Sequence, residues 1–156
     1  MAGRRDQITL SDAEQAELLA AERVVVVSSN GPRGWPHSMP MWYLVREREI
    51  WVWTYAKSQK VRNLERDPRA TLLVETGVEY VELRGIQIEA EAELIREMAR
   101  VGEFSKQLAV RYTDGIDSIE GDAAVALEAQ AVKRVAIRFR AVRTATWDHR
   151  KLGGTY

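Results

Sequence analysis

Apolar and polar positions along the chain form a pattern that predicts six β-strands. Runs rich in β-branched and aromatic residues, bounded by glycine, proline or charged turns, are typical of strands. The predicted strands are residues 23–29, 38–45, 49–55, 70–76, 80–95 and 135–147. Residues 46–49 are charged and predict a hairpin between the second and third strands. The alternation slips once, near Gly85 in the fifth strand, and this predicts a β-bulge there.

Helical patterns occupy the segments between some of these strands. Ser11 and Glu14 have the spacing of a capping box, which predicts a helix from Asp12 to about Ala21. Val61 and Leu64 place an apolar stripe on a short helix over residues 60–67, which Asp67-Pro68 ends. Two further helices are predicted over residues 96–112, with Met98, Val101, Leu108 and Ala109 on one side, and over residues 122–131.

The order of these elements predicts a mainly β fold. Strand-to-strand connections without regular strand–helix alternation favour an antiparallel sheet, and closure into a barrel removes exposed strand edges. A chain of 156 residues has room for one domain, which we take as residues 1–156, with residues 1–22 as an N-terminal helical segment. A small barrel is filled by its own side chains, so a binding site is expected on its outside or between subunits.

Composition narrows the possible functions. The chain has 23 basic and 23 acidic residues, so no global positive field favours nucleic acid or an anionic membrane. It has no cysteine and only His37 and His149, which argues against disulfides, thiol chemistry and a structural metal centre. We expect a cytoplasmic protein, because no apolar run reaches the roughly 20 residues of a membrane span and the N-terminus has no signal-peptide core.

One short segment combines features of an anion site. A strand ends at Thr54 and Tyr55, a small polar turn follows, and Lys60 opens the predicted helix. The positive end of a helix dipole and its free amides favour an anion there. Thr54, Ser58, Lys60 and Arg62 are therefore candidates for holding a phosphate. The alternative is that Lys60 and Arg62 are solvated helix residues and Ser58 is an ordinary N-cap.

This segment, with Asn63-Leu64, Asp67-Pro68 and Ala70 following in order, resembles the flavin-phosphate segment of the pyridoxamine 5'-phosphate oxidase-like split-barrel superfamily. "KVRNLERDPRATLLV" is most similar to its flavin/deazaflavin oxidoreductase branch, which uses coenzyme F420. "RVVVVSSNGPRGWPHSMPMWYLV", "LRGIQIEAEAELI" and "RVAIRFRAVRTATWDHRKLGG" resemble the first two strands, the long central strand, and the last strand with its tail. The resemblance covers about Val24 to Gly154.

The resemblance implies a Greek-key split barrel of six or seven strands with a few peripheral short helices. It also implies a homodimer with cofactor grooves at the subunit interface and a C-terminal tail, residues 145–156, over the cofactor. The phosphate end would be held by Thr54, Ser58, Lys60, Arg62 and Asn63. The ring would lie beside the backbone of Ser38, Met39, Pro40 and Met41, with Trp147 and Arg150 at its edge.

Two departures from the oxidases bear on the cofactor. The oxidases have an arginine where this chain has Gln59, and a basic pair on the second strand where this chain has Ser-Met-Pro-Met-Trp. The resemblance therefore favours coenzyme F420 over FMN, and hydride transfer to a small conjugated or quinone-like acceptor. The sequence offers no nucleophile–base set, and in hydride transfer the cofactor supplies the chemistry.

Other interpretations remain open at this stage. An FMN-dependent oxidoreductase, a non-catalytic cofactor-binding protein, and a haem-binding split barrel using His37 or His149 all fit the same fold. Trp42, Trp51 and Trp53 are more typical of core or interface residues than of ring-stacking residues. His149 is expected to be a surface residue, with proton donation as the alternative.

Overall fold

A computed structural model describes residues 3–153 of the chain. Seven strands and five α-helices form in these residues. The strands are β1 (Val25–Asn30), β2 (Pro36–Met41), β3 (Leu44–Arg46), β4 (Glu49–Tyr55), β5 (Arg69–Thr76), β6 (Arg84–Ile95) and β7 (Arg134–Asp148). The helices are α1 (Arg4–Gln7), α2 (Asp12–Ala21), α3 (Gln59–Arg66), α4 (Met98–Tyr112) and α5 (Gly121–Ala131), with 3-10 turns at Tyr80–Glu82 and His149–Leu152.

All seven strands form one antiparallel sheet in the order β2-β1-β5-β6-β7-β4-β3. The two edge strands, β2 and β3, are consecutive in the chain. Only Trp42 and Tyr43 separate them, so the edges lie within about 11 Å of each other, three Cα–Cα steps. The sheet must therefore curl round on itself, which gives the predicted mainly β split barrel.

The predicted strand over residues 38–45 is wrong as a single element, because it belongs to both edges of the sheet. The break falls at Tyr43, which is fully buried and whose hydroxyl donates to Leu19 O at 2.8 Å. The backbone amide of Tyr43 donates to the Tyr112 hydroxyl at 3.0 Å rather than to a strand. These side-chain bonds satisfy the backbone polar groups where the chain crosses from one edge to the other.

The helix predictions hold with small shifts at the ends. Helix α2 has the expected capping box, with Glu14 N donating to Ser11 Oγ and Ser11 N to Glu14 Oε2. Helix α3 ends before Asp67-Pro68 as predicted. The predicted apolar face of α4 is wrong at Met98, which is 48% exposed; the buried face is centred on Val101, Phe104 and Leu108. No helix in residues 3–153 is long and apolar enough to cross a membrane.

The core has two parts. The larger fills the barrel interior with alternate side chains of β1, β4, β5, β6 and β7, including Val27, Val52 and Ile137. The smaller lies outside the barrel, where α4 and α5 cover Trp51 and Ala136. Trp51 is thus a core residue, as expected, and Trp53 packs beside it, whereas Trp42 is 56% exposed and stacks on Tyr112. Side chains fill the barrel, so a ligand site must lie elsewhere.

The predicted bulge at Gly85 is wrong. Gly85 pairs in regular register with Trp147, and the register shift lies at Glu89/Ala90, opposite the extra residue Val142 of β7. The glycine has a different reason: a Cβ built on Gly85 would lie 2.2 Å from Trp147 Cζ2. Gly85 is therefore required because the Trp147 ring lies across it, a constraint that links two strands far apart in sequence.

The carboxylate of Glu14 links the start of α2 to the C-terminal 3-10 turn. Because this link needs the ionised carboxylate, we expect the stability of the protein to fall at acid pH. Its carboxylate accepts from Lys151 Nζ and Ser11 N, each at 2.7 Å, and these bonds lower the pKa of Glu14 to about 2. A carboxyl group with a lowered folded-state pKa stabilises the protein above its unfolded-state pKa and loses that effect as the pH falls toward 2. We expect Glu14→Gln to reduce stability at pH 6 and to differ less from the parent at pH 3, measured by urea denaturation.

Candidate functional site

The candidate anion site lies where β4 ends and α3 begins. Thr54 is buried at the end of β4, and Lys60 Nζ donates to its Oγ1 at 3.0 Å. Ser58 occupies the N-cap position of α3 with extended backbone angles, but its side chain makes no capping bond. Its hydroxyl instead lies 3.5 Å from Thr54 Oγ1. We call Thr54, Ser58, Lys60 and the backbone amides of residues 59–61 the anion corner.

The charge of Lys60 is poorly satisfied within the protein. Among residues 3–153, no carboxylate lies within ion-pair distance of its ammonium group. Its side chain is half-buried, and burial lowers the pKa of Lys60. The first amides of α3 also lack acceptors within the helix, since the opening turn has none. A half-buried cation and several N–H donors without acceptors in the helix therefore lie together, a combination that favours a phosphate group.

A buried hydrogen-bond network fixes α3 to β1. Asn63 is fully buried and donates through Nδ2 to Ser29 Oγ at 3.1 Å. Its Oδ1 accepts from Gln59 Nε2 at 2.8 Å. Asn63 therefore orients the first turn of the helix rather than facing a ligand directly. Arg62, the remaining predicted phosphate residue, is exposed, and the described residues provide it with no hydrogen bond or ion pair.

Strand β2 lies next to the start of α3. Ser29, which Asn63 contacts, pairs with His37 of β2, and Gln59 lines the same groove as His37. Side chains on β2 alternate between faces, so Met39 and Met41 share the inward face of His37, while Ser38 and Pro40 point outward. Met41 packs on the barrel core, whereas Met39 is 41% exposed. The structure thus places the start of β2, at His37, beside the start of α3, and the predicted Ser38–Met41 wall continues from there along β2.

Two concavities border these elements. One, of about 380 Å³, is lined by residues 31–33 and 35–37 of the β1–β2 hairpin together with Gln59; we call it the hairpin groove. The other, of about 710 Å³, lies on the outer face of β1, β5 and β6, where Ser28 and Arg69 line it. The Ser28 hydroxyl lies 2.8 Å from that of Ser38 at its rim. Both concavities are outside the barrel, as the filled interior requires.

Trp147 and Arg150 are not brought to the anion corner within one chain. Thr54 pairs with Val135 at the start of β7, and Trp147 lies 12 residues further along that strand, about 40 Å at the usual rise per residue. Residues 145–148 of the predicted tail belong to β7 itself, and residues 154–156 lie outside the described residues. Trp147 lies on the outer face with Arg5 and Arg143.

Arg150 is held by its own neighbour. Its Nε donates to Asp148 Oδ1 at 2.9 Å and its Nη2 to Oδ2 at 2.7 Å, and this pairing is the main cause that lowers the pKa of the buried Asp148. His149 is also engaged, since its Nδ1 lies 2.9 Å from Tyr80 O and its ring lies against Tyr80. His149 thus lies half-buried at the surface, with its ring held by the 3-10 turn at Tyr80.

The anion corner fits a phosphate-bearing cofactor better than a metal. Residues 3–153 contain no cluster of three or more histidine and acidic residues suited to a metal ion. Sequence reasoning found the corner because its residues are close in the chain. It missed the contribution of the β1–β2 hairpin, where Trp35 is 75% exposed and His37 Nδ1 has no partner among the described residues. The sequence signal for that site was a tryptophan between two prolines, Pro32 and Pro36.

Comparison with known proteins identifies the family. Residues 11–148 match the pyridoxamine 5'-phosphate oxidase family, which is most of the chain. The chain belongs to this family. No curated protein matches it in sequence. A solved structure with 38% identity, conserved hypothetical protein Rv2991 from Mycobacterium tuberculosis, agrees over 99% of this chain and 95% of that chain, with a TM-score of 0.89.

Solved structures with lower sequence identity to this chain share its fold. An F420 reductase has 21% identity over 83% of this chain and 94% of its own, with a TM-score of 0.63. A FAD-binding protein from Mesorhizobium loti has 17% identity over 88% of this chain and 94% of its own, with a TM-score of 0.64. At these identities the likeness establishes the split-barrel architecture alone. The family and fold predicted from the sequence are thus confirmed.

Proposed function

We propose that this member of the pyridoxamine 5'-phosphate oxidase family is an oxidoreductase that binds coenzyme F420 and passes hydride to a small conjugated or quinone-like acceptor. The family includes oxidoreductases, and an F420 reductase shares the fold. The observation that carries the proposal is Lys60. This half-buried ammonium group has a hydroxyl partner at 3.0 Å but no carboxylate partner among residues 3–153, beside the open amides of α3.

The chain's own residues would bind and orient the cofactor. Lys60, Ser58 and the amides of residues 59–61 hold its phosphate, and Asn63 keeps the helix start in place. The exposed side chain of Met39 and the adjoining β2 backbone give the ring a wall. Reduced deazaflavin supplies a hydride when bound, so the protein needs to position the ring and exclude water rather than provide an acid–base pair.

The proposal includes a homodimer. Trp147 lies about 40 Å along β7 from the residue that pairs with Thr54 and is on the outer face of the sheet, so it is not part of the anion corner of its own chain. In the proposed dimer, Trp147 of the partner subunit would cover the ring, and the cofactor would then lie between the subunits. In this arrangement Arg150 acts by holding Asp148 and the tail in place, since that carboxylate already occupies its guanidinium group.

Cofactor titration tests the proposal. We expect purified protein to bind F420 with micromolar or better affinity and more tightly than FMN, and bound reduced F420 to be oxidised by a member of a quinone panel in stopped-flow measurements. FMN affinity without F420 binding would assign the protein to flavin chemistry instead. Binding without turnover by any acceptor would indicate a carrier, and a Soret band abolished by His37→Ala would indicate haem binding.

A further inference from the structure

The hairpin groove lies next to the anion corner but is not part of it. Gln59 lines the groove with its side chain while its backbone amide opens α3, so the two sites share one residue. The predicted ring wall runs from Ser38 to Met41, away from the groove, whereas His37 borders the groove. A cofactor with its phosphate in the corner and its ring along β2 would therefore leave the groove open beside the phosphate.

The chemistry of the groove suits an extended anionic group. Arg33 is exposed and supplies a cation, and Pro32, Trp35 and Pro36 supply apolar surface. His37 borders the same space with an Nδ1 atom that has no partner among the described residues. Within the described residues, no carboxylate lines the groove. Such a lining is suited to a chain that carries both apolar and negatively charged groups, because arginine pairs with carboxylates and phosphates while the apolar surface contacts the carbon atoms between them.

The hairpin is built to hold these residues in place. Gly31 N donates to Trp35 O at 3.0 Å, and Gly34 N donates to Gly31 O at 3.2 Å, which closes a tight loop. A Cβ on Gly31 would lie 2.5 Å from Trp35 O, so only glycine permits this closure. Trp35 is 75% exposed and yet sits on a fixed backbone. Trp35 and its exposed neighbours Pro32 and Pro36 form an apolar patch at the groove, and such patches mark ligand-binding grooves.

We propose that the hairpin groove binds the part of the cofactor that continues beyond its first phosphate, so that the protein selects the extended form of a cofactor over its shorter form. This inference rests on the proposed function, because it takes the phosphate to lie in the anion corner. The extension carries either carboxylates, as in the glutamate tail of F420, or a second phosphate with adenine, as in FAD. Both are anionic chains that Arg33 and Trp35 can contact.

Matched cofactor pairs separate the groove from the ring and the phosphate. The first pair is F420 with its glutamate tail and its glutamate-free form, and the second is FAD and FMN; within each pair the ring is the same. We expect the parent protein to bind the extended member of at least one pair about tenfold more tightly. The pair that shows this preference identifies the extension as glutamyl or adenylyl.

Variants at the groove test its residues. We expect Arg33→Gln and Trp35→Ala each to weaken the extended cofactor about fivefold and to leave the shorter one unchanged. The effect of Arg33→Gln should shrink at high salt, because exposed charges are screened. Arg140→Gln, which removes an exposed arginine outside the groove, is the matched control and should change neither affinity. Trp35→Phe keeps an aromatic face and should retain most of the preference, and melting curves confirm that each variant folds.

The outcomes distinguish the two proposals. If the parent binds short and extended cofactors equally, or if Arg33→Gln and Trp35→Ala weaken both members of a pair alike, the groove inference is overturned while the proposed function stands. If the parent binds no member of either pair, both proposals fail. If the preference for the extended cofactor disappears in Arg33→Gln and Trp35→Ala but not in Arg140→Gln, both proposals are supported.

Discussion

Lys60→Ala is expected to weaken cofactor binding by about 1.5 to 3 kcal/mol, roughly 10- to 150-fold in affinity. The ammonium group donates to Thr54 Oγ1 at 3.0 Å and has no carboxylate partner among residues 3–153, so a bound phosphate would be its counter-ion. Removing it deletes a charge-assisted hydrogen bond in a half-buried site. Isothermal titration of the parent and the variant with the same cofactor measures the difference.

A lysine in the same turn provides the control. Lys57 is exposed and, unlike Lys60, does not contact Thr54. Lys57→Ala therefore makes the same change in net charge three residues away from Lys60. We expect it to alter affinity by less than about 0.5 kcal/mol. Equal losses for the two variants would mean that Lys60 acts only through the general field of the surface. Unchanged affinity in Lys60→Ala would remove the anion corner as the cofactor site.

We expect the charge of Lys60 to affect the stability of the unliganded protein in the opposite direction from cofactor binding. Burial lowers the pKa of Lys60, so its charged form costs free energy in the unliganded protein below that lowered pKa; the cost falls as the pH rises through it and is gone above the unfolded-state pKa. Lys60→Met removes this cost, and we expect no loss of stability without cofactor. By the same reasoning the affinity for an anionic cofactor falls as the pH rises through the lowered pKa. A site that is costly when empty is typical of function rather than of folding.

The sequence predicted those parts of the molecule whose residues are close together in the chain. The capping box of α2, the end of α3 at Asp67-Pro68 and the anion corner all depend on contacts within a few residues. Each is a local pattern with a direct physical cause, so it can be recognised without knowing the tertiary structure.

Long-range pairing could not be predicted in the same way. Residues 38–45 look like one strand because apolar residues continue through Trp42 and Tyr43, and only the bonds from Tyr43 to Leu19 and Tyr112 show that the chain changes edge there. The irregular pattern at Gly85 suggested a bulge, but its cause is a tryptophan 62 positions later in the chain. The resemblance to the family placed Trp147 near the ring without showing that this residue lies on the outer face of β7, far along that strand from the anion corner.

Gly85→Ala is expected to destabilise the protein by about 1 to 3 kcal/mol. The new Cβ would lie 2.2 Å from Trp147 Cζ2, and the ring must move or the two strands must separate. The backbone itself gives no reason for glycine, since Gly85 is not among the residues with positive φ. Urea denaturation at one fixed protein concentration measures the loss, which keeps any effect of subunit association constant.

A double variant shows whether the clash is the cause. In a Trp147→Ala background the space above residue 85 is free, and alanine is then the better strand residue, so Gly85→Ala should be neutral or stabilising by up to about 1 kcal/mol. The coupling between the two sites should therefore be at least about 1 kcal/mol. An equal cost of Gly85→Ala in both backgrounds would contradict the packing explanation.

The same four proteins also test whether Trp147 serves the cofactor. If Trp147 of the partner subunit covers the ring, then Trp147→Ala and Gly85→Ala should both weaken cofactor binding, because one removes the indole and the other displaces it. The double variant should then bind as weakly as Trp147→Ala, although its stability differs from that of Gly85→Ala. If the four proteins differ only in stability and bind the cofactor alike, Trp147 is a packing residue of the β6–β7 pair, and another group must cover the ring.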